Sequence, residues 1–132
     1  MKSYAAELWN RAGRALDTAR CTLDADPDAA TSRAYYSAFY AVSALFALEG
    51  RTFRKHSAVE AAVHRDLVKE GTWPPDLGAD YRELRRLRAT GDYGGFEHVS
   101  AEDASQAVEK AKRILETVQR TRPELESLEF EQ

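Results

Sequence analysis

A single cysteine, Cys21, in 132 residues excludes an intramolecular disulfide and a cysteine-rich metal site. The three histidines, His56, His64 and His98, fall at no two-histidine metal spacing, and His-Glu-x-x-His is absent. No metal site and no cofactor is therefore expected. No serine or cysteine belongs to a recognisable nucleophile motif, and no glycine-rich loop is built to cradle phosphates. The longest uncharged run, Ala34 to Leu48, is 15 residues and too short to span a bilayer comfortably. Met1-Lys2-Ser3-Tyr4 opens into a polar amphipathic stretch rather than a signal peptide. A soluble, cytoplasmic protein with no membrane contact is the expectation. Repeats, low-complexity tracts and strand-period alternation are missing too.

What remains is ordinary globular material. Charged residues make up 31% and hydrophobic residues 43%, which argues against global disorder, and 132 residues suffice for one domain with one core. The net charge of −3 does not by itself announce nucleic-acid binding. Its distribution says more. Residues 51–88 carry nine Lys/Arg against six Asp/Glu, which leaves −6 on the rest of the chain. A basic surface on an acidic protein fits an RNA or nucleotide ligand, or an acidic protein partner.

Five helical patterns run along the chain. Leu8, Ala12, Leu16, Ala19 and Leu23 form one apolar stripe over residues 4–25. Asp26-Pro27-Asp28 is a turn and restart, with proline suited to a helix's first position. The next helix, residues 28–49, is apolar nearly all round and so must be central, and Gly50 stops it. Ser57-Ala58-Val59-Glu60 reads as a capping box opening a third helix to about Lys69. After the connector Gly71-Thr72-Trp73-Pro74-Pro75, a fourth helix is expected from Asp76 to about Thr90, with Leu77, Tyr81, Leu84 and Leu87 facing the core. Gly91-Asp92-Tyr93-Gly94-Gly95 reads as a turn. The fifth helix starts at Ser100, with Asp103 in its first turn and a stripe from Ala104 to Val118. The expected fold is all-α, an up-and-down antiparallel bundle of about five helices over residues 1–122, followed by a flexible acidic tail, 123–132.

Arginines dominate the candidate chemistry. Arg82, Arg85, Arg86 and Arg88 crowd about two turns of the fourth helix, and such a row suits a polyanion because guanidinium forks match phosphate oxygens. The alternative is a solvated face tied to Glu83, Asp80 and neighbouring acids. Arg88, on the side of Leu84 and Tyr81, is expected to point inward and to pair with Asp92. Arg33 shares a face of the central helix with Tyr36, and Tyr40 follows one turn on. It either makes a structural interhelical salt bridge or lines a phosphate cleft. His56 lies amid Arg51, Arg54 and Lys55, cations that should keep its imidazole neutral and able to accept a proton; helix-entry packing is the competing role.

Ser32-Arg33-Ala34-Tyr35-Tyr36-Ser37-Ala38-Phe39, then Lys55-His56-Ser57, then Arg88-Ala89-Thr90-Gly91-Asp92-Tyr93-Gly94 resemble the HEPN proteins, specifically the small single-domain prokaryotic branch. The resemblance covers about residues 4–120. It implies a helical bundle that homodimerises and pairs with a minimal nucleotidyltransferase, often as a toxin–antitoxin couple. Catalytic members are metal-independent ribonucleases with an arginine followed after about four to six residues by a histidine, two protomers facing across a cleft. Arg88 matches that arginine, but Asp92 and Tyr93 stand where the histidine would be, and His98 lies beyond the spacing.

Two functions of different class follow. One is a binding module whose dimer cleft, built from Arg33, Tyr36, Arg85, Arg88 and Tyr93, holds a nucleotide or RNA or docks the nucleotidyltransferase. The other is a toxin-like ribonuclease with Arg88 as charge stabiliser and the acid–base role moved among His56, Asp92 and Tyr93. A non-catalytic structural module is the third option. The resemblance alone also suggests Tyr93 as acceptor of a nucleotide from a partner enzyme.

Overall fold

A computed structural model describes residues 2–127. Its elements are α1 (Lys2–Thr22), α2 (Pro27–Leu48), α3 (His56–Ala62) continued by a π-helical segment (Val63–Val68), α4 (Pro75–Tyr93), α5 (Ala101–Thr121) and a 3-10 turn (Pro123–Ser127). There is no strand among the described residues. The fold is the expected all-α bundle. The α2 helix is its hub, packed along α1 and also against α4 and α5. Twelve of its residues are buried, against seven each in α1 and α5, as an all-round apolar helix requires. Alanines let the neighbours come close: Ala34, Ala38 and Ala41 of α2, Ala12 and Ala19 of α1, and Ala107 and Ala111 of α5 are all fully buried. The buried Ser37 hydroxyl donates to the Ala12 carbonyl at 2.7 Å, which satisfies a polar group at that contact.

The helix ends explain themselves locally. Asp26 caps α2 by accepting from the Ala29 N–H at 3.1 Å, with Pro27 at the first position. At the other end Gly50 takes φ +76°, and the Gly50 and Arg51 N–H groups donate to Ala47 and Phe46, which closes the helix in a Schellman turn. Ser100 caps α5 by accepting from the Asp103 N–H at 3.0 Å.

Three expectations are corrected. The third helix enters two residues earlier than a capping box would allow: Lys55 is the extended N-cap position and Ser57 is already helical. A tertiary contact sets this start, because the His56 ring stacks on Phe39. The fourth helix does not end at Thr90 but runs through Gly91, Asp92 and Tyr93 to Gly94. Gly91 serves close packing rather than a turn. Its φ is not positive, and a Cβ there would lie 3.1 Å from the Asp28 carbonyl oxygen. The tail boundary also moves, since Pro123–Ser127 folds into a 3-10 turn that buries Leu125 in the core. Residues 128–132 of the expected tail lie outside the described residues.

Candidate functional site

The extension of α4 matters because it carries the site. Helical spacing puts Arg88, Asp92 and Tyr93 on the side of α4 that meets α2, where Ser32, Tyr35, Tyr36 and Phe39 form the facing strip. The Arg88 Nη2 donates to the Tyr36 hydroxyl at 2.8 Å and lies 3.4 Å from the Tyr93 hydroxyl. Its Nε is 2.8 Å from an Asp92 carboxylate oxygen, an ion pair whose N–H is not well aligned on that oxygen. Ser32 donates to the same carboxylate at 3.4 Å. The guanidinium carbon sits 5.2 to 5.8 Å from the ring centres of Tyr36, Tyr93 and Tyr35, within cation–π range of all three. Among the described residues no protein group takes the remaining terminal nitrogen, Nη1.

Exposure separates the four arginines. The Arg88 side chain is 20% exposed, so it is the inward one. The rest of the row is surface: Arg86 pairs with Glu83, Arg85 reaches Glu60 on α3 at 3.3 Å, and Arg82 lies 3.5 Å from the His64 ring. Asp80 is not part of that row. It is buried, pairs with Arg113 of α5, and burial pushes its carboxyl above the usual carboxylate range.

His56 joins the same neighbourhood. Its Nδ1 is 2.7 Å from the Tyr35 hydroxyl, and its ring stacks on Phe39 with centres 4.3 Å apart. Its pKa lies below the usual 6.5, first because the ring is partly buried and then because Arg88 and Arg85 are near. The cations expected to do this, Arg51, Arg54 and Lys55, do not. Arg51 turns away to Asp66 at 2.6 Å. Burial pushes Tyr35, the partner of His56, up to about 12, so it remains a phenol.

Arg33 makes no interhelical salt bridge: no carboxylate lies within 4 Å of it among the described residues. Instead its guanidinium lies 4.8 Å from the centre of the Tyr36 ring. His98, the nearest histidine after Arg88 in the chain, is held by Asp28, with Nδ1 2.6 Å from the carboxylate. The Asp28 carboxylate also accepts from the Val99 N–H at 2.7 Å, and these two contacts hold its pKa below the usual range. Among the described residues no group of three or more His, Cys, Asp or Glu could hold a metal ion. Nor is any helix there long and apolar enough to cross a membrane.

Sequence reasoning missed Asp28, Ser32 and Tyr35 as site residues. The signal was present, since 28, 32, 35 and 36 recur at the spacing of one helical face and end on Tyr36.

The class these features define is a small all-α bundle with an arginine clasped among tyrosines between its second and fourth helices. The chain belongs to the HEPN domain family, whose model matches residues 5–121. It is 36% identical over 121 residues to a UPF0332 protein of Thermotoga maritima, covering 90% of this chain and 92% of that one. A UPF0332 protein of Gloeobacter violaceus is 30% identical over 112 residues, covering 83% and 89%. A Methanocaldococcus jannaschii protein that bears the name "Putative toxin" is 31% identical over 88 residues, covering 67% of this chain and 60% of its own. In fold, the chain is similar to the crystal structure of TT1696 from Thermus thermophilus, with a TM-score of 0.74 at 20% identity over 89% of this chain and 98% of that one.

Proposed function

We propose that this HEPN protein is the partner of a minimal nucleotidyltransferase in a toxin–antitoxin pair, and that its own site binds RNA or a nucleotide at Arg88. The observation that carries the reading is the state of Arg88. It is held from behind by Tyr36 and Asp92, with Nη1 uncommitted and the ring of Tyr93 beside it. A fork fixed in this way loses little freedom on meeting a phosphate, and the flanking phenols suit a sugar or base. Two copies face one another across this cleft in the reading. Tyr93, 74% exposed, and the fully exposed Phe96 leave an aromatic rim that a second copy would cover. The exposed Tyr93 hydroxyl is also the acceptor for a nucleotidyl group delivered by the partner enzyme, with pyrophosphate leaving and the phenolic proton passing to solvent.

Binding is favoured over strand cleavage because no imidazole faces the Arg88 fork. His98 is committed to Asp28, and His56 is turned to Tyr35. The ribonuclease reading keeps one supporting observation, a His56 whose lowered pKa leaves its ring unprotonated and so able to accept a proton. The test incubates purified protein with a labelled single-stranded RNA, with and without chelator, and follows anisotropy and strand length together. The expected result is saturable binding without cleavage, lost in Arg88→Ala. Metal-independent cleavage that needs Arg88 would establish the ribonuclease instead. Undiminished binding by Arg88→Ala would remove this cleft from consideration. Light scattering at micromolar concentration checks the dimer, and co-expression with a minimal nucleotidyltransferase checks the partner.

A further inference from the structure

A second cationic site lies across Tyr36 from Arg88. On α1, Arg11, Arg14 and Thr18 recur at steps of three and four, so they form one strip. That strip faces Arg33 and Tyr40 of α2 over a groove of about 230 Å³. Three arginines line it, and of these only Arg11 has a carboxylate, Glu7 at 3.0 Å. Arg14 and Arg33 have no acid partner among the described residues. These arginines stand outside the basic 51–88 segment, in the acidic remainder of the chain, where carboxylates are plentiful. A groove that leaves two of its three arginines without an acid is set up for an external anion.

The groove and the Arg88 site are linked through the Tyr36 ring. The Tyr36 ring is flanked by Arg33 at 4.8 Å and Arg88 at 5.2 Å, so the two guanidinium carbons are at most 10 Å apart. Next to the groove, sharing Arg11 and Tyr40 as a wall, is a recess of about 220 Å³ with Tyr4, Phe39 and Phe53 around it. Its polar rim includes the Glu7–Arg11 pair, whose charges offset each other and whose atoms can hydrogen-bond the edge of a neutral ring. Phosphate-seeking arginines beside an aromatic recess form the pattern that single-stranded nucleic acid requires.

We infer that the α1/α2 groove of Arg14 and Arg33 is a second phosphate subsite, which takes a neighbouring phosphate of a single-stranded RNA held at Arg88 while the attached base enters the Tyr4–Phe53 recess. The inference rests on the RNA reading of Arg88 and makes the ligand an extended strand rather than a mononucleotide. An acidic protein segment would also seek the arginines, but it has no use for the aromatic recess.

The test measures binding of a fluorescein-labelled six-nucleotide oligo(U) to the full chain over a series of salt concentrations. For single strands, log affinity falls by about 0.7 per phosphate neutralised for each log unit of salt. The variant Arg14→Gln/Arg33→Gln is expected to bind at least tenfold more weakly and to lower the slope by about 0.7, one phosphate's worth. Neither arginine has an ion pair to lose, so the fold is expected to survive, and circular dichroism checks it. An independent measurement needs no variant: oligoribonucleotide carrying 4-thiouridine should photo-cross-link to Tyr4, Tyr40 or Phe53. Arg120→Gln, on α5, is the control and should leave the slope unchanged. If Arg88→Gln weakens binding while the groove variant keeps wild-type affinity and slope, and cross-links avoid the recess, the second subsite is refuted and the Arg88 reading stands. If wild-type protein binds no oligonucleotide even at low salt, the Arg88 reading has failed, and the inference with it. Binding of poly-glutamate, lost in the groove variant, would likewise overturn the inference and assign the groove to a protein partner.

Discussion

Gly91 of α4 packs directly on the backbone of Asp28, so closely that a Cβ at position 91 would meet the Asp28 carbonyl oxygen at 3.1 Å. This contact brings the last turn of α4 onto the first turn of α2. Arg88, Asp92 and Tyr93 thereby reach Ser32 and Tyr36. The neighbour is backbone, tethered by the Asp28 side chain to His98 and Val99, so it cannot easily give way.

Gly91→Ala therefore sets two effects against each other. Alanine gains about 1 kcal/mol of helix propensity over glycine. Overpacking against backbone costs about 1–3 kcal/mol. The net expectation is a loss of about 1 kcal/mol in urea unfolding, with a larger proportional loss of ligand binding because α4 is pushed off α2. A stabilised variant with intact binding would show that the contact has room.

Much of the bundle is legible in the sequence, for physical reasons that particular residues display. Residues 28–49 can be read as central because an apolar surface on every side has only one home, and Asp26, Gly50 and Ser100 carry their capping chemistry locally. Gly91 is deceptive because a glycine that serves close approach looks, in sequence, like one that serves a turn. The start of α3 is deceptive because the contact of His56 with Phe39 is 17 positions long-range and outweighs the local Ser57–Glu60 pattern. At the site, the inward turn of Arg88 follows from helical spacing and its Asp92 partner from nearness in the chain, although α4 itself, and not the expected turn, brings Asp92 one turn on from Arg88. The Tyr35–His56 bond and the Arg33–Tyr36 contact need the tertiary arrangement.

Asp28 should give the protein an acid-sensitive step. Its carboxylate is stabilised by Val99 and His98, so its folded pKa is below the ordinary 3.8. The sign follows: this stabilisation is complete above pH 3.8 and is lost as pH falls below it through the folded value. Asp28→Asn, which keeps an acceptor for the Val99 N–H but loses the charge, should cost about 1 kcal/mol near pH 6 and less near pH 3. Denaturant unfolding of both proteins at the two pH values measures the difference. An equal loss at both would remove the ionised carboxylate as the cause.

The imidazole of His56 should titrate below 6.5 and respond to Arg88. With a lowered folded pKa, the unfolded chain binds its proton first. Stability therefore falls as pH drops below 6.5 and levels off below the folded value. Arg88→Gln should raise the His56 pKa only part of the way to 6.5, since burial is the larger cause. Proton NMR of the ring Cε1–H follows this directly. An unchanged pKa in the variant would separate His56 electrically from the Arg88 cleft.

The last prediction concerns how Arg88 is held. Its hydrogen bond to the Tyr36 hydroxyl spans two helices, at 2.8 Å, and its partner on its own helix is Asp92. Tyr36→Phe removes the hydroxyl and keeps the ring that Arg33 also covers. A hydrogen bond to a charged donor contributes about 1.5–3 kcal/mol, and partial exposure puts this one nearer 1 kcal/mol. Arg88→Lys keeps the charge but not the fork, so it cannot serve Tyr36, Tyr93 and Asp92 together. Each single variant should fold and lose about tenfold in RNA affinity, near 1.4 kcal/mol. If Tyr36 acts by orienting Arg88, the double variant should lose little more than either alone, a coupling of about 1 kcal/mol in a double-mutant cycle. Additive losses would mean that the hydroxyl touches the ligand itself, and that Arg88 is positioned by Asp92 alone.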